Sequence, residues 1–184
     1  MLRIISGRLK GKKLKTPKGS QTRPTLEKTR DALYNVLQSR YPLEAYEAFD
    51  LFSGSGALGF EAYSRGAQKV FFFENNRQGY RQLRQNVALL SLESCCTVYN
   101  TDTIQWLKNQ SWQGGPKLFL LDPPYQTELA QKTIDIIASK GKSLAESLLV
   151  IETEINVAFD YPVFFHLFQQ KIFGKTRLDF FEIK

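Results

Sequence analysis

The chain has 184 residues, 42% of them hydrophobic, with two cysteines, a single histidine and a formal charge of +7. That is enough apolar material for one core, while the adjacent Cys95 and Cys96 and the lone His166 offer neither the separation of an ordinary disulfide nor a ligand set for zinc. The longest apolar runs, Val70 to Phe73 and Leu118 to Leu121, fall far short of the roughly 20 residues of a membrane span, and the opening "MLRIISGRLKGKK" turns basic too early for a secretory leader, so a cytoplasmic protein without metal or membrane attachment is expected.

The charge is unevenly spread. Residues 1 to 30 hold ten Lys or Arg and one acid, Glu27, a local charge of +9 that leaves the other 154 residues at −2. A basic front on a near-neutral body is the footprint of a protein that meets a polyanion, and nucleic-acid phosphate is the commonest. Within it Gly7, Gly11, Pro17 and Gly19 punctuate short apolar pieces, which predicts a small hairpin in a basic extension over residues 1–24. Arg8, Lys10, Lys12, Lys13 and Arg23 are its candidate RNA contacts.

From Pro24 the pattern becomes helical: Leu26, Leu33, Val36 and Leu37 share one face, which predicts a helix over Thr25 to Ser39. Thereafter strand-like runs at Ala48 to Phe52, Val70 to Phe73, Thr97 to Tyr99, Leu118 to Leu121 and Leu148 to Ile151 alternate with helix-like stretches. Those stretches are Leu58 to Arg65, Arg77 to Leu90, Thr103 to Asn109 and Glu128 to Ser139. Apolar strands separated by helices predict a parallel sheet covered on both faces, a doubly wound α/β domain of residues 25–184 forming one unit with the extension. The tail differs, since "HLFQQKIF" and "TRLDFFEI" are joined by "GK" with no helix between them, which predicts an antiparallel C-terminal hairpin at the sheet edge.

The first strand of this series runs into "DLFSGSGALGFEA". Gly54, Gly56 and Gly59 have the G-x-G-x-x-G spacing of a turn that lets a ligand approach the backbone. Glu74 closes the second strand 20 residues after Gly54, where an acid accepts from ribose hydroxyls. An adenosine-containing cofactor is thereby expected, either a nicotinamide dinucleotide or S-adenosylmethionine. Asp50, Glu74, Asp102 and Asp122 all stand at carboxyl ends of consecutive strands, where such sheets bind ligands. Four acids suit a ligand carrying a sulfonium and an ammonium and repel a pyrophosphate. Phe52 and Ser55 beside the glycine turn, and Thr103 beside Asp102, complete the candidate cofactor set.

"LFLLDPPYQT" then ends a buried strand abruptly. Pro123 and Pro124 cannot donate to a ladder and stiffen the backbone after Asp122. The Asp122 carboxylate, the prolyl carbonyls and the Tyr125 ring make a receptacle for a planar molecule bearing an NH₂ group. Acceptors would hold the amine's hydrogens and turn its lone pair toward a methyl donor, while Tyr125 stacks on the ring. Asp122 is also a candidate to take up the proton that the amine loses.

"DLFSGSGALGFEAYSRGA" and "DPPY", with "SGRLKGKKLKTPKG", "RPTLEKTRDALYNVL" and "FGKTRLDFF", resemble the RsmD-type bacterial 16S rRNA guanine-N2 methyltransferases over nearly the whole chain. The resemblance implies a Rossmann-like class I methyltransferase fold, S-adenosylmethionine as donor, and a guanine amine of 16S rRNA, free or in an assembling 30S subunit, as acceptor for a monomeric enzyme. By position it implies that Gly54 and Gly56 line the cofactor, Glu74 meets its ribose, Asp102 its adenine, and Asp122 to Tyr125 the target base. The competing readings are a DNA adenine-N6 methyltransferase, which would usually carry a further recognition domain, a protein-glutamine methyltransferase, which has little use for a basic front, and a non-enzymatic RNA-binding protein.

Overall fold

The computed structural model describes residues 2–16, 24–123 and 127–184, residues 24–26 and 127 by their backbone alone. Seven strands form one sheet in the order β5-β4-β3-β6-β7-β9-β8. Five of them run parallel: β3 (Glu47–Asp50), β4 (Lys69–Phe73), β5 (Cys96–Tyr99), β6 (Lys117–Leu121) and β7 (Leu148–Glu154). The antiparallel pair β8 (Phe165–Phe173) and β9 (Thr176–Ile183) closes one side, with β9 inserted next to β7 and β8 outermost. A tight turn at Gly174 (φ +60°) and Lys175 joins this pair, a conformation that glycine adopts without strain.

Why the central strands lack polar alternation is visible in their packing. On one face Ala48, Val70, Phe72, Leu118, Leu120, Leu148 and Val150 meet the helices α1 (Pro24–Gln38), α2 (Ala57–Ser64) and α3 (Arg77–Leu89) through Leu33, Leu37, Phe60, Leu83 and Val87. On the other, Phe49, Leu51, Phe119, Leu121, Leu149 and Ile151 meet α4 (Thr103–Lys108) and α5 (Thr127–Ser139) through Leu107, Ile134 and Ile137. Every residue of β6 is buried, as a doubly covered strand requires. Gly59 permits the close seat of α2, since a Cβ there would stand 2.4 Å from the Phe72 ring.

The expected strands and helices are present, with several ends where expected and the others shifted by up to three residues. The largest shift is at β7, which runs on to Glu154 because β9 pairs with it as far as Glu154 and Thr176. The basic front folds as predicted into a hairpin, β1 (Leu2–Arg3) against β2 (Lys13–Leu14), and it is fastened to the body. Glu61 of α2 is fully buried and accepts from the backbone N–H of Ile5 and Ser6 at 2.8 and 3.0 Å. Its two oxygens also meet Arg65 at 2.8 Å and Arg30 of α1 at 3.6 Å. Asn86 of α3 both accepts from the Lys15 N–H and donates to the Lys15 carbonyl, each at 2.9 Å. Among the described residues no helix is long and apolar enough to cross a membrane, and no group of three or more His, Cys, Asp or Glu side chains is placed to hold a metal ion.

Candidate functional site

The carboxyl edge of the parallel strands opens into a cavity of about 1040 Å³. The sheet register explains why acids gather there. Asp50 lies opposite both Phe72 and Leu120, and side chains alternate between faces. Glu74 and Asp122, two residues beyond those partners, therefore project from the same face as Asp50. Leu121 pairs with Ile151, so the next residues, Asp122 and Glu152, leave the sheet side by side on that face. Asp102 reaches the cavity differently, as the N-cap of α4, accepting from the Gln105 N–H at 2.9 Å.

Each acid on the glycine-turn side is held by backbone donors. The Asp50 carboxylate accepts from the Gly59 N–H at 2.9 Å. Burial nevertheless pushes its pKa up to about 7, with Asp122 and Glu74 adding to the rise and the Gly59 bond opposing it. Glu74 accepts from the N–H of Gly54 at 3.0 Å and of Asn76 at 2.8 Å, which clamps the glycine turn to the end of β4. Gly79 makes room for it, because a Cβ there would come within 2.8 Å of the Glu74 side chain. Ser53 completes the turn, donating to the Asp50 carbonyl at 2.7 Å and accepting from the Phe73 N–H at 2.8 Å. Thr103 donates to the Leu51 carbonyl at 2.6 Å, fixing α4 against the turn.

Of the residues expected at the cofactor, Asp50, Phe52, Gly54, Ser55, Glu74, Asp102, Thr103 and Asp122 all line this cavity. Gly56 is not among the lining residues. A Cβ there would stand 2.6 Å from Leu83 and 2.7 Å from Phe60, so its missing side chain serves the packing of the core, while a Cβ on Gly54 would meet nothing within 4 Å. Both glycines have positive φ, +50° for Gly54 and +77° for Gly56. Asp122 and Pro123 line the cavity where β6 ends. Pro124 and Tyr125 fall outside the described residues, as does Arg23. Asp122 is open to the cavity, yet the surrounding walls deprive it of water and raise its pKa to about 6.

Arg8 takes a place that its charge alone does not suggest. Its guanidinium donates to the Tyr63 carbonyl at 2.9 and 2.7 Å and to the Ala67 carbonyl at 3.1 Å, and lies 3.8 Å from the centre of the Tyr63 ring. It caps the C-terminal end of α2 and ties the hairpin down. Lys10, Lys12 and Lys13 are exposed.

Two features escaped the sequence reading. Glu152 lines the cavity next to Asp122, at a point where "ETE" looks like the polar end of a strand, although an acid at the carboxyl end of a further parallel strand was the available signal. On α3, Arg77, Arg81 and Arg84 are all exposed at helical spacing, which a charge sum over the whole body conceals. This helix begins beside Glu74 and holds Lys15 of the basic front through Asn86 near its end, so a second group of exposed cations stands on an element fastened to the hairpin.

The family model described as Conserved hypothetical protein 95 matches residues 2–182. The Ribosomal RNA small subunit methyltransferase D of Haemophilus influenzae is 32% identical over 174 residues, covering 94% of this chain and 89% of its own. The protein of that name from Escherichia coli is 32% identical over 177 residues, covering 95% and 86%. Among solved structures, the Escherichia coli protein yhhF aligns with a TM-score of 0.86 at 29% identity, covering 100% of this chain and 98% of its own.

Proposed function

The chain belongs to the Conserved hypothetical protein 95 family, that of the RsmD-type methyltransferases with the class I fold, and on that premise we propose that it moves a methyl group from S-adenosylmethionine to the exocyclic N2 amine of a guanine in 16S rRNA. The observation that carries this reading is the junction of two half-sites in one cavity: an acid-lined glycine turn and, beside it, the Asp122–Pro123 corner at the end of β6.

The lining fits the donor. Asp50, Glu74, Asp102, Asp122, Glu152 and Glu154 face a single cation, Lys175, among the described lining residues. Such a field attracts a sulfonium and an ammonium and disfavours a pyrophosphate. When bound, S-adenosylmethionine supplies a methyl group already activated by positive sulfur. Glu74 is placed to accept from ribose hydroxyls, with the Gly54 N–H holding its carboxylate in position. The open space over Gly54 lets a ligand approach the turn. Thr103 and Phe52 wall the same pocket, and α4, fixed through Thr103, keeps Asp102 at its rim.

On the acceptor side Asp122 grips the amine, and the carbonyls of the two prolines supply further acceptors, with Tyr125 stacking on the base. Holding two N–H bonds in place directs the remaining lone pair at the methyl carbon, so positioning supplies most of the catalysis. An acidic pocket repels phosphates. The base must therefore enter alone while Lys10, Lys12, Lys13, Arg23 and the α3 arginines hold the backbone outside, which favours a nucleotide already out of a helical stack.

Nucleoside mass spectrometry of small-subunit rRNA from cells with and without the protein tests the reading. The expected difference is one N2-methylguanosine, restored by the wild-type gene and not by Asp122→Ala. A different methylated nucleoside would overturn the assignment of the acceptor.

A further inference from the structure

We propose that Glu152 is the proton acceptor of the reaction, taking from the target amine the proton that methylation makes surplus. The inference rests on the methyl-transfer reading above and adds a residue to it.

The chemistry requires such a group. As the N–C bond forms, the C–S bond breaks and its electron pair goes to sulfur; the amine nitrogen is left carrying the new methyl, two hydrogens and a positive charge. One N–H bond must then break, its electron pair staying on nitrogen and its proton passing to a base. Transfer to a positioned carboxylate, followed by release to solvent at the cavity mouth, balances the step.

Geometry selects Glu152 among the acids of the cavity. On the cofactor side backbone N–H groups engage both oxygens of Glu74 and one oxygen each of Asp50 and Asp102. Among the described residues, neither the Asp122 nor the Glu152 side chain makes a hydrogen bond or ion pair, and the β6–β7 register sets the two next to each other on one face. Asp122 has the gripping role, so an amine held there stands against Glu152. Glu154 lies two residues further along β7 and is exposed.

The charges around Glu152 agree. Burial, with Asp122 adding to the rise and Arg30 on α1 opposing it, brings its pKa up to about 8. Across from it on β9 stands Leu178, while Arg177 and Asp179 pair with one another from the opposite face. Asp50, Glu154 and Lys175 line the same cavity. Burial raises both carboxyls at this corner, and with Asp122 committed to gripping the amine, its neighbour Glu152 is the group placed to take the proton. Before reaction Glu152 must be ionised, and a cationic donor in the cavity favours that form.

The test compares wild type, Glu152→Gln and Glu152→Asp on unmethylated small subunits, with the modified nucleoside mapped in each case. Glu152→Gln should lower kcat by about 100-fold or more, far beyond the weakening of S-adenosylmethionine binding that the loss of one cavity charge brings, and lose the rise of kcat/KM with pH that wild type shows toward pH 8. Glu152→Asp should restore part of kcat and the pH dependence. Without cofactor, wild type should lose thermal stability as pH rises through about 8, since a raised acid stabilises the fold only while protonated, and Glu152→Gln should lose less. A Gln variant with kcat within twofold of wild type, or with the wild-type pH profile, overturns the proposal. Should mapping reveal an acceptor other than guanine N2, the functional reading fails by itself, and the ratio of variant to wild-type rates on that acceptor still decides the role of Glu152.

Discussion

Arg8 lies over Tyr63, its guanidinium 3.8 Å from the ring centre while two of its nitrogens bind the Tyr63 carbonyl at 2.9 and 2.7 Å. A residue whose charge suggests a phosphate contact thus spends its donors on the last turn of a helix, whose carbonyls have no full set of intrahelical partners. Arg8→Ala should cost about 1–2 kcal/mol of stability, the worth of charge-assisted hydrogen bonds at an exposed site, with Arg8→Lys recovering little because it loses the planar fork. Urea unfolding measures the loss, and hydrogen exchange over residues 2–14 should accelerate most. Unchanged stability with a large drop in RNA affinity would return Arg8 to the RNA.

Glu61 is the other fastening point, a buried carboxylate shared by two backbone N–H groups, Arg65 and Arg30. Removing one member of a buried ionic network leaves the others uncompensated, and costs about 3–5 kcal/mol. Glu61→Gln should therefore destabilise far more than Arg8→Ala, although it lies outside the cavity. A midpoint of chemical denaturation within error of wild type would refute the network's importance.

The cavity acids set a pH dependence with a definite sign. Asp50 rises to about 7 and Glu152 to about 8, while an unfolded carboxyl group titrates near 4. Between those values the folded chain holds protons that the unfolded chain has lost, so stability without ligand should fall as pH rises from about 5 to 8.5. Asp122, open to the cavity, contributes least. A bound cation favours the ionised acids, so S-adenosylmethionine should raise Tm more at pH 8 than at pH 6 and should release protons on binding. Calorimetry in buffers of different ionisation enthalpy reads that release, and proton uptake would contradict the acid-lined account.

Gly54 and Gly56 look equivalent in the sequence and differ in the fold. Gly54→Ala meets no neighbour and suffers only from a positive φ, about 1–2 kcal/mol. It should fold and bind the cofactor more weakly. Gly56→Ala drives a Cβ into Leu83 and Phe60, and its effect should appear as a lower Tm before any change in binding is read. The opposite ranking in thermal unfolding would mean that Gly56, not Gly54, borders the ligand.

What the sequence showed and concealed follows from the range of the interactions. Apolar runs and glycine spacing are local, so the β6 strand, the turn at Gly54 and the acid at Glu74 were legible from residue type and distance along the chain. Glu152 was not, because the extent of β7 is decided by its pairing with Leu178 and Arg177 of β9, and no local rule separates "ETE" as a strand end from "ETE" as a paired strand. The fate of Arg8 depends on a carbonyl 55 residues away. The role of Gly56 depends on Leu83, on another helix.

The α3 arginines give the RNA reading its sharpest quantitative test. Arg77, Arg81 and Arg84 are exposed on a helix that starts beside Glu74, and on the proposed RNA reading a strand whose base enters the cavity passes over them. Each phosphate that a basic side chain neutralises releases counterions and adds roughly 0.7–0.9 to the steepness of log K against log salt. Replacing all three by Gln should therefore flatten the slope by about 2–3 and weaken binding most at low salt, while the affinity for S-adenosylmethionine holds. Replacing Lys10, Lys12 and Lys13 should do the same on the hairpin side, and the two sets should add, being separate grips on one backbone. If the α3 triple variant keeps the wild-type slope while the hairpin variant flattens it, the RNA approaches from the hairpin alone, and the path across α3 is wrong.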